Sequence, residues 1–174
     1  MKKNVFYSFA FALVACCLLG SCKKSEDAVA PVVVVPKEFD AAKLMTLINA
    51  LRATGCTCGS ATDNSAMPAV RPAVWNDLLE KAAQLHSDDM VAQNYFSHTS
   101  LDGRTPDKRV EAVGYKWSGL GEAVGAGQTS EESFISSVKG SRGHCEGMMS
   151  ANWYEIGIGR KDNKWTYVMA TPAK

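Results

Sequence analysis

Apolar residues recur along this chain first at helical spacing and then, towards the end, at strand spacing. Leu44, Leu47, Ile48 and Leu51 fall three and four apart and predict a first helix. Asp40 stands where it caps that helix, Phe39 and Leu44 stand as a hydrophobic staple, and Gly55 ends it. Trp75, Leu79, Ala82, His86 and Met90 make a second stripe, predicting a helix from about Trp75 to Asn94. Thr105-Pro106 is a cap and first-turn pair for a short third helix through Val113. Thr129 and Glu132 fit a capping box for a fourth, with Phe134, Ile135 and Val138 as its apolar face. The period then changes to two. Tyr154, Ile156 and Ile158 alternate with Glu155, Gly157 and Gly159, Asp162-Asn163 predicts a turn, and Trp165 to Met169 a second strand. Helices first and an antiparallel hairpin last predict an α+β fold built in layers.

The first 21 residues do not belong to that pattern. Lys2 and Lys3 precede a mostly apolar run from Val5 to Leu19, which closes with Leu19-Gly20-Ser21-Cys22. This is similar to a bacterial lipobox, with small residues directly before a cysteine. The expectation is a lipoprotein signal peptide over 1–21, a lipid on Cys22, a linker over 22–37 and a globular domain over 38–174. An ordinary signal peptide cut elsewhere, or an uncleaved anchor, is the weaker reading; the apolar run is shorter than the roughly 20 residues of a spanning helix. Pro31-Val32-Val33-Val34-Val35-Pro36 reads as an extended spacer, since flanking prolines disfavour a central strand. At about 3.1 Å per residue the linker holds the domain roughly 45 Å from the lipid. The expected place is the cell envelope: an outer membrane, on its periplasmic or its exposed side, with the charges after Cys22 favouring the exposed one.

Charge narrows the partners. Removing residues 1–21 takes two lysines and no acid from 19 Lys+Arg and 18 Asp+Glu, leaving 17 against 18. A near-neutral chain of the 153 residues that remain has no basic field for nucleic acid, and its length suits one domain, expected to be a monomer. Arg104, Lys108, Arg109 and Lys116 form a local basic cluster that reads as a solvated face.

Of six cysteines, Cys16 and Cys17 leave with the signal and Cys22 carries the lipid. Cys56, Cys58 and Cys145 remain in a compartment where disulfides persist, so one bridge and one leftover thiol are expected. Cys145 pairs with Cys58 or with Cys56, because Cys56–Cys58 closes a strained ring. So long a loop contributes about 4 kcal/mol in the chain-entropy model. It also pins the neighbouring His144. A Cys145 nucleophile with His144 as its base is disfavoured, since adjacent helical residues do not face each other.

Candidate chemistry rests on three histidines. His86 lies on an apolar stripe and reads as a satisfied core residue. His98 and His144 lie in Tyr95-Phe96-Ser97-His98 and Gly143-His144-Cys145, which bracket Gly121-Glu122. Imidazole and carboxylate bind divalent metal or move protons near neutral pH. Gly119, Gly121, Gly125 and Gly127 match neither phosphate-binding loop pattern and read as places where a strand passes close to helices.

Taken together, several segments resemble the CAP superfamily of cysteine-rich secretory proteins, antigen 5 and plant pathogenesis-related proteins, in particular its bacterial secreted branch. They are Trp75 to Ala83, His86-Ser87-Asp88-Asp89-Met90, Tyr95 to Pro106, Gly114-Tyr115, Gly121-Glu122, Gly143-His144-Cys145 and Glu155-Ile156-Gly157-Ile158-Gly159. The resemblance spans about Leu44 to Met169. It implies a three-layer α-β-α sandwich around a central antiparallel sheet, with a cleft of two histidines and two acids able to hold a divalent metal. Carried over, the cleft residues are His98, His144 and Glu122, and the second acid is replaced by Ser141. Ala123, Val138 and Gly147 also depart from the family pattern. Two imidazoles and one carboxylate imply weak zinc binding with an open fourth position. The favoured function is a binding module for a lipid, sterol-like molecule, peptide or envelope component. The alternative is a peptidase- or esterase-like hydrolase with His98 or His144 as base, Glu122 orienting it, and a metal-bound water or Ser97, Ser137 or Ser141 as nucleophile; neither a GxSxG elbow nor an HExxH is present.

Overall fold

The computed structural model describes residues 37–174. The expected signal segment, the lipid site at Cys22 and the linker up to Pro36 lie outside the described residues. Among the described residues no helix is long and apolar enough to cross a membrane.

Eleven elements follow in order: α1 (Ala41–Thr54), β1 (Cys56–Gly59), β2 (Asn64–Met67), β3 (Val74–Trp75), α2 (Asp77–Ala92), α3 (Pro106–Ala112), β4 (Trp117–Ala126), α4 (Glu131–Gly140), α5 (Arg142–Met148), β5 (Glu155–Lys161) and β6 (Lys164–Pro172). Four strands form the central sheet in the order β3-β5-β6-β4, antiparallel except where β3 joins β5 in parallel over two residues. The β1–β2 hairpin stands apart as a second small sheet.

Alternation along β6 divides the core into two. Trp165, Tyr167 and Met169 join Ile156 and Ile158 beneath α1, α4 and α5, which contribute Leu44, Ile48, Phe134, Ile135, Val138 and Met148, with Met149 directly after α5. Val168 and Ala170 face the other way, onto Leu79, Ala82 and Ala83 of α2 and Val110 of α3. The sheet is thus covered on both faces, as the α-β-α sandwich requires. The residues opposite Ile156 and Ile158 in the β5 alternation are Gly157 and Gly159, and α2 lies directly on them. A Cβ on Gly157 would stand 2.0 Å from the Glu80 backbone nitrogen, and one on Gly159 2.3 Å from that of Gln84.

Several boundaries differ from the sequence expectation. The second helix begins at Asp77, not Trp75, because Asn76 Oδ1 accepts from the Leu78 and Leu79 amides and caps it. Trp75 belongs to β3, and its ring packs 6.3 Å from that of Phe39. The capping box of α4 is Ser130 with Ser133, one residue later than the expected pair. The helix assumed around His144 and Cys145, given no bounds from sequence, is α5; the β1–β2 hairpin was not expected. Gly125 approaches Phe134 of α4, whereas Gly119 and Gly121 back onto Trp153, in the loop before β5. The turn at Asp162 forms as expected, with a positive φ of 51°.

Candidate functional site

Strand β4 is the last strand of the sheet, and the site is assembled around its free edge from both helical layers. Glu122 sits in the middle of β4, opposite Val168, and so faces the α2/α3 layer. His98 arrives from that layer, on the loop between α2 and α3. His144 arrives from the opposite layer, on α5. The two imidazoles meet edge to face, their ring centres 6.4 Å apart.

The loop bearing His98 is held by its backbone. His86, wholly buried in α2, donates from Nε2 to the Ser97 carbonyl at 2.9 Å. Arg109, in α3, donates to the carbonyls of His98 and Arg104, both at 2.9 Å, and to Ser100 Oγ at 3.3 Å. Its other terminal nitrogen lies 2.6 Å from Glu122 Oε2. His98 Nδ1 donates to the remaining carboxylate oxygen, Glu122 Oε1, at 2.9 Å. Both oxygens of Glu122 are therefore engaged, one by a guanidinium and one by an imidazole.

Burial differs sharply within this trio. The side chains of Arg109 and Glu122 are 5% and 2% exposed, whereas that of His98 is half exposed. Glu122, through its hydrogen bond, raises the His98 pKa above its ordinary value against an opposing desolvation. Burial lowers that of His144, and the charge on His98 lowers it further. The two rings are thus pushed apart in titration, His144 giving up its proton before His98 as pH rises. Burial likewise lowers the pKa of His86, with Arg109 adding to the effect, in keeping with a core histidine.

The basic cluster expected to be a solvated face is only partly one. Arg104, Lys108 and Lys116 are exposed, but Arg109 is buried and carries the ion pair with Glu122. Its position explains the difference: Arg109 and Val110 both fall on the inward face of α3, beneath which Glu122 needs a countercharge. The helical offset from Pro106 and Val113 was the available signal.

The hydroxyls are elsewhere. Ser97 Oγ accepts from the Thr99 amide, and Ser137 Oγ bonds Gln128 Nε2. Ser141 is the hinge between α4 and α5, one turn before His144, and its hydroxyl makes no capping bond. Among the described residues none of the three is hydrogen-bonded to His98 or His144. Beside Glu122 an open groove of about 330 Å³ is lined by Pro106, Asp107, Trp117, Leu120 and Gly121.

The profile of the cysteine-rich secretory protein family, CAP, matches residues 45–170. The chain belongs to this family. The Bacillus subtilis (strain 168) protein YkwD, itself uncharacterized, is 29% identical over 90 residues, which are 52% of this chain and 35% of YkwD. Among solved structures, an extracellular protein with an SCP domain from Bacillus anthracis aligns at a TM-score of 0.63 and 22% identity, covering 75% of this chain and 39% of that one. An outer surface protein of Borrelia burgdorferi aligns at 0.59 and 16%, covering 76% and 89%. A cysteine-rich secretory protein of Staphylococcus aureus aligns at 0.58 and 14%, covering 80% and 40%. These likenesses establish the CAP fold. The chain spans about a third of YkwD and about two fifths of the Bacillus anthracis and Staphylococcus aureus proteins.

Proposed function

We propose that this CAP-domain protein is an extracytoplasmic binding module, held at the cell envelope by a lipid on Cys22, whose cleft presents His98 and His144 to its ligand. The observation that carries this reading is the placement of the hydroxyls: among the described residues Ser97, Ser137 and Ser141 make no hydrogen bond to His98 or His144, and a hydroxyl nucleophile requires a base within hydrogen-bond reach. Glu122, buried, paired with Arg109 and bonded to His98, orients that imidazole, a role that binding and hydrolysis share. Two structural relatives, one an extracellular protein and one an outer surface protein, are consistent with the proposed location.

The two imidazoles are the groups in the cleft that would hold a divalent ion; Glu122, expected as a third ligand, has both oxygens engaged by Arg109 and His98 and does not join them. With Nδ1 of His98 bonded to Glu122, Nε2 is the nitrogen left to ligate, the familiar arrangement of a carboxylate behind a metal-bound histidine. A zinc ion about 2.0–2.1 Å from each nitrogen lies about 3 Å from each ring centre. At 6.4 Å the ring centres stand about 1 Å farther apart than a tetrahedral zinc ion requires, so holding one would need the half-exposed His98 ring to move inward. Glu122 serves as the orienting group. Two protein ligands make the site weak, and an ion there supplies a coordination point for a carbonyl or anionic oxygen of the ligand.

Calorimetric titration of zinc into metal-stripped protein tests the ion site. Binding at sub-millimolar to millimolar zinc, abolished by combining His98→Ala with His144→Ala, is expected; absence of heat in that range removes the metal from the proposal. Turnover in a peptide and ester library that disappears in the same double variant would replace the binding module with a hydrolase.

A further inference from the structure

Three sulfurs stand together where β1 meets α5. Cys58 and Cys145 are bonded to each other, and both are wholly buried. Cys56 is a free thiol and only partly buried. Its Sγ lies 3.8 Å from that of Cys145 and 4.0 Å from that of Cys58. Residues two apart on a strand share a face, so Cys56 and Cys58 both address α5 and compete for one partner. Cys145 in turn directly follows His144 of the cleft.

A thiol in van der Waals range of a disulfide, here nearly equidistant from its two sulfurs, has only to swing into line with the S–S bond to react. We propose that the trio is a thiol–disulfide exchange site, with Cys56 as its gateway and small thiols or disulfides as its co-substrates. In the internal step the Cys56 thiolate attacks Cys145 Sγ. The Cys56–Cys145 bond forms, the Cys58–Cys145 bond breaks, and Cys58 departs with the electron pair and takes up the proton that Cys56 released. No oxidant or reductant is consumed. In the external step a small thiol attacks Cys56 of the shifted bridge, giving a mixed disulfide on Cys56 and a thiol on Cys145; the reverse reaction restores the bridge.

Accessibility assigns the roles. A solution thiol cannot reach sulfurs with no exposed surface, so the bridge of Cys58 with Cys145 is closed to direct attack. Shifting it to Cys56 brings one of its sulfurs to the surface. Burial raises the Cys56 pKa, with Lys139 opposing, so little thiolate is present at neutral pH and exchange accelerates as the solution becomes more alkaline. Because Cys145 anchors α5 beside His144, the position of the bridge also bears on how that ring is held.

The experiment is a thiol map of the full chain. One sample is held at pH 8.5 and another at pH 5; each is then denatured in acid with N-ethylmaleimide and mapped by peptide mass spectrometry. In the acid-held sample the label among these three cysteines is expected mainly on Cys56. After alkaline incubation it is expected on Cys58 as well, with none on Cys145. Label confined to Cys56 after alkaline incubation overturns the proposal. Cys58→Ser supplies a second arm: a Cys56–Cys145 bridge with neither thiol free supports the exchange geometry, and two free thiols there overturn it. Where that variant fails to fold, the wild-type map decides.

Discussion

Arg109 and Glu122 form an ion pair of 2.6 Å from which water is almost wholly excluded. The pair joins α3 to the edge strand and, through the carbonyls that Arg109 also holds, fixes the loop that presents His98. Breaking one side of such a pair strands the other charge in the interior, which costs about 3–5 kcal/mol. Arg109→Ala is therefore expected to lower the unfolding free energy from denaturant titration by that much and to broaden the His98 resonances. Adding Glu122→Gln should restore part of the lost stability, because the stranded carboxylate is gone; a double variant less stable than Arg109→Ala would contradict the pairing.

Acid and alkali should each destabilise the metal-free protein, through different histidines. His98 has a folded pKa above its unfolded value of about 6.5. The folded state therefore holds the extra proton, and this contribution is full below pH about 6.5 and is lost as pH rises through the folded value. His144 and His86 have lowered pKa values, so their contribution is present above pH about 6.5 and is lost as pH falls through their folded values. Stability from the histidines should peak near pH 6.5. NMR titration of the three imidazoles checks the order, with His98 titrating last as pH is raised. Glu122→Gln should lower the His98 midpoint.

The contact of β5 with α2 leaves no room for a methyl group. Gly157→Ala places its Cβ 2.0 Å from backbone of α2, which cannot yield as a flexible side chain does. The substitution should destabilise by more than the 1–3 kcal/mol typical of overpacking, or prevent soluble expression. Gly140→Ala is the control: its Cβ meets nothing within 4 Å, and the thermal midpoint should stay within about 2 °C.

His86 is expected to act on the cleft at one remove. Its Nε2 holds the Ser97 carbonyl, one residue before His98. His86→Ala removes a buried ring and that bond, and a loss of about 2–4 kcal/mol is expected in denaturant unfolding. Faster amide exchange at Ser97 to Ser100, beyond the change at the sheet, would show that the loop is the part released.

The sandwich and its principal helices were legible because Leu44, Ile48, Leu79, Ala82 and Met90 recur at helical spacing and are all buried. The hairpin was legible from the alternation around Ile156 and Ile158. The bounds of helix α5 were not, since Gly143 and Gly147 interrupt its seven residues and it is stabilised by its packing rather than by propensity. The β1–β2 hairpin was missed for a related reason: four-residue strands rich in Cys, Ser, Asn and Gly carry no apolar alternation. His98, Glu122 and His144 were found by residue type and motif order. Arg109 escaped because charge was counted along the chain, where its neighbours are exposed, whereas its orientation is set by a helix of only seven residues. The choice between Cys56 and Cys58 could not be read at all, since one strand face presents both to Cys145.

His98 and His144 come from layers on opposite faces of the sheet and meet only around its rim. Neither layer owns the cleft, so a chain in which either has come loose has no recognition site, however much secondary structure it keeps. The proximity of these two rings is consequently a gauge of complete assembly. Ligand capture and cooperative unfolding should fade together, which makes loss of binding a sensitive early sign of denaturation in this protein.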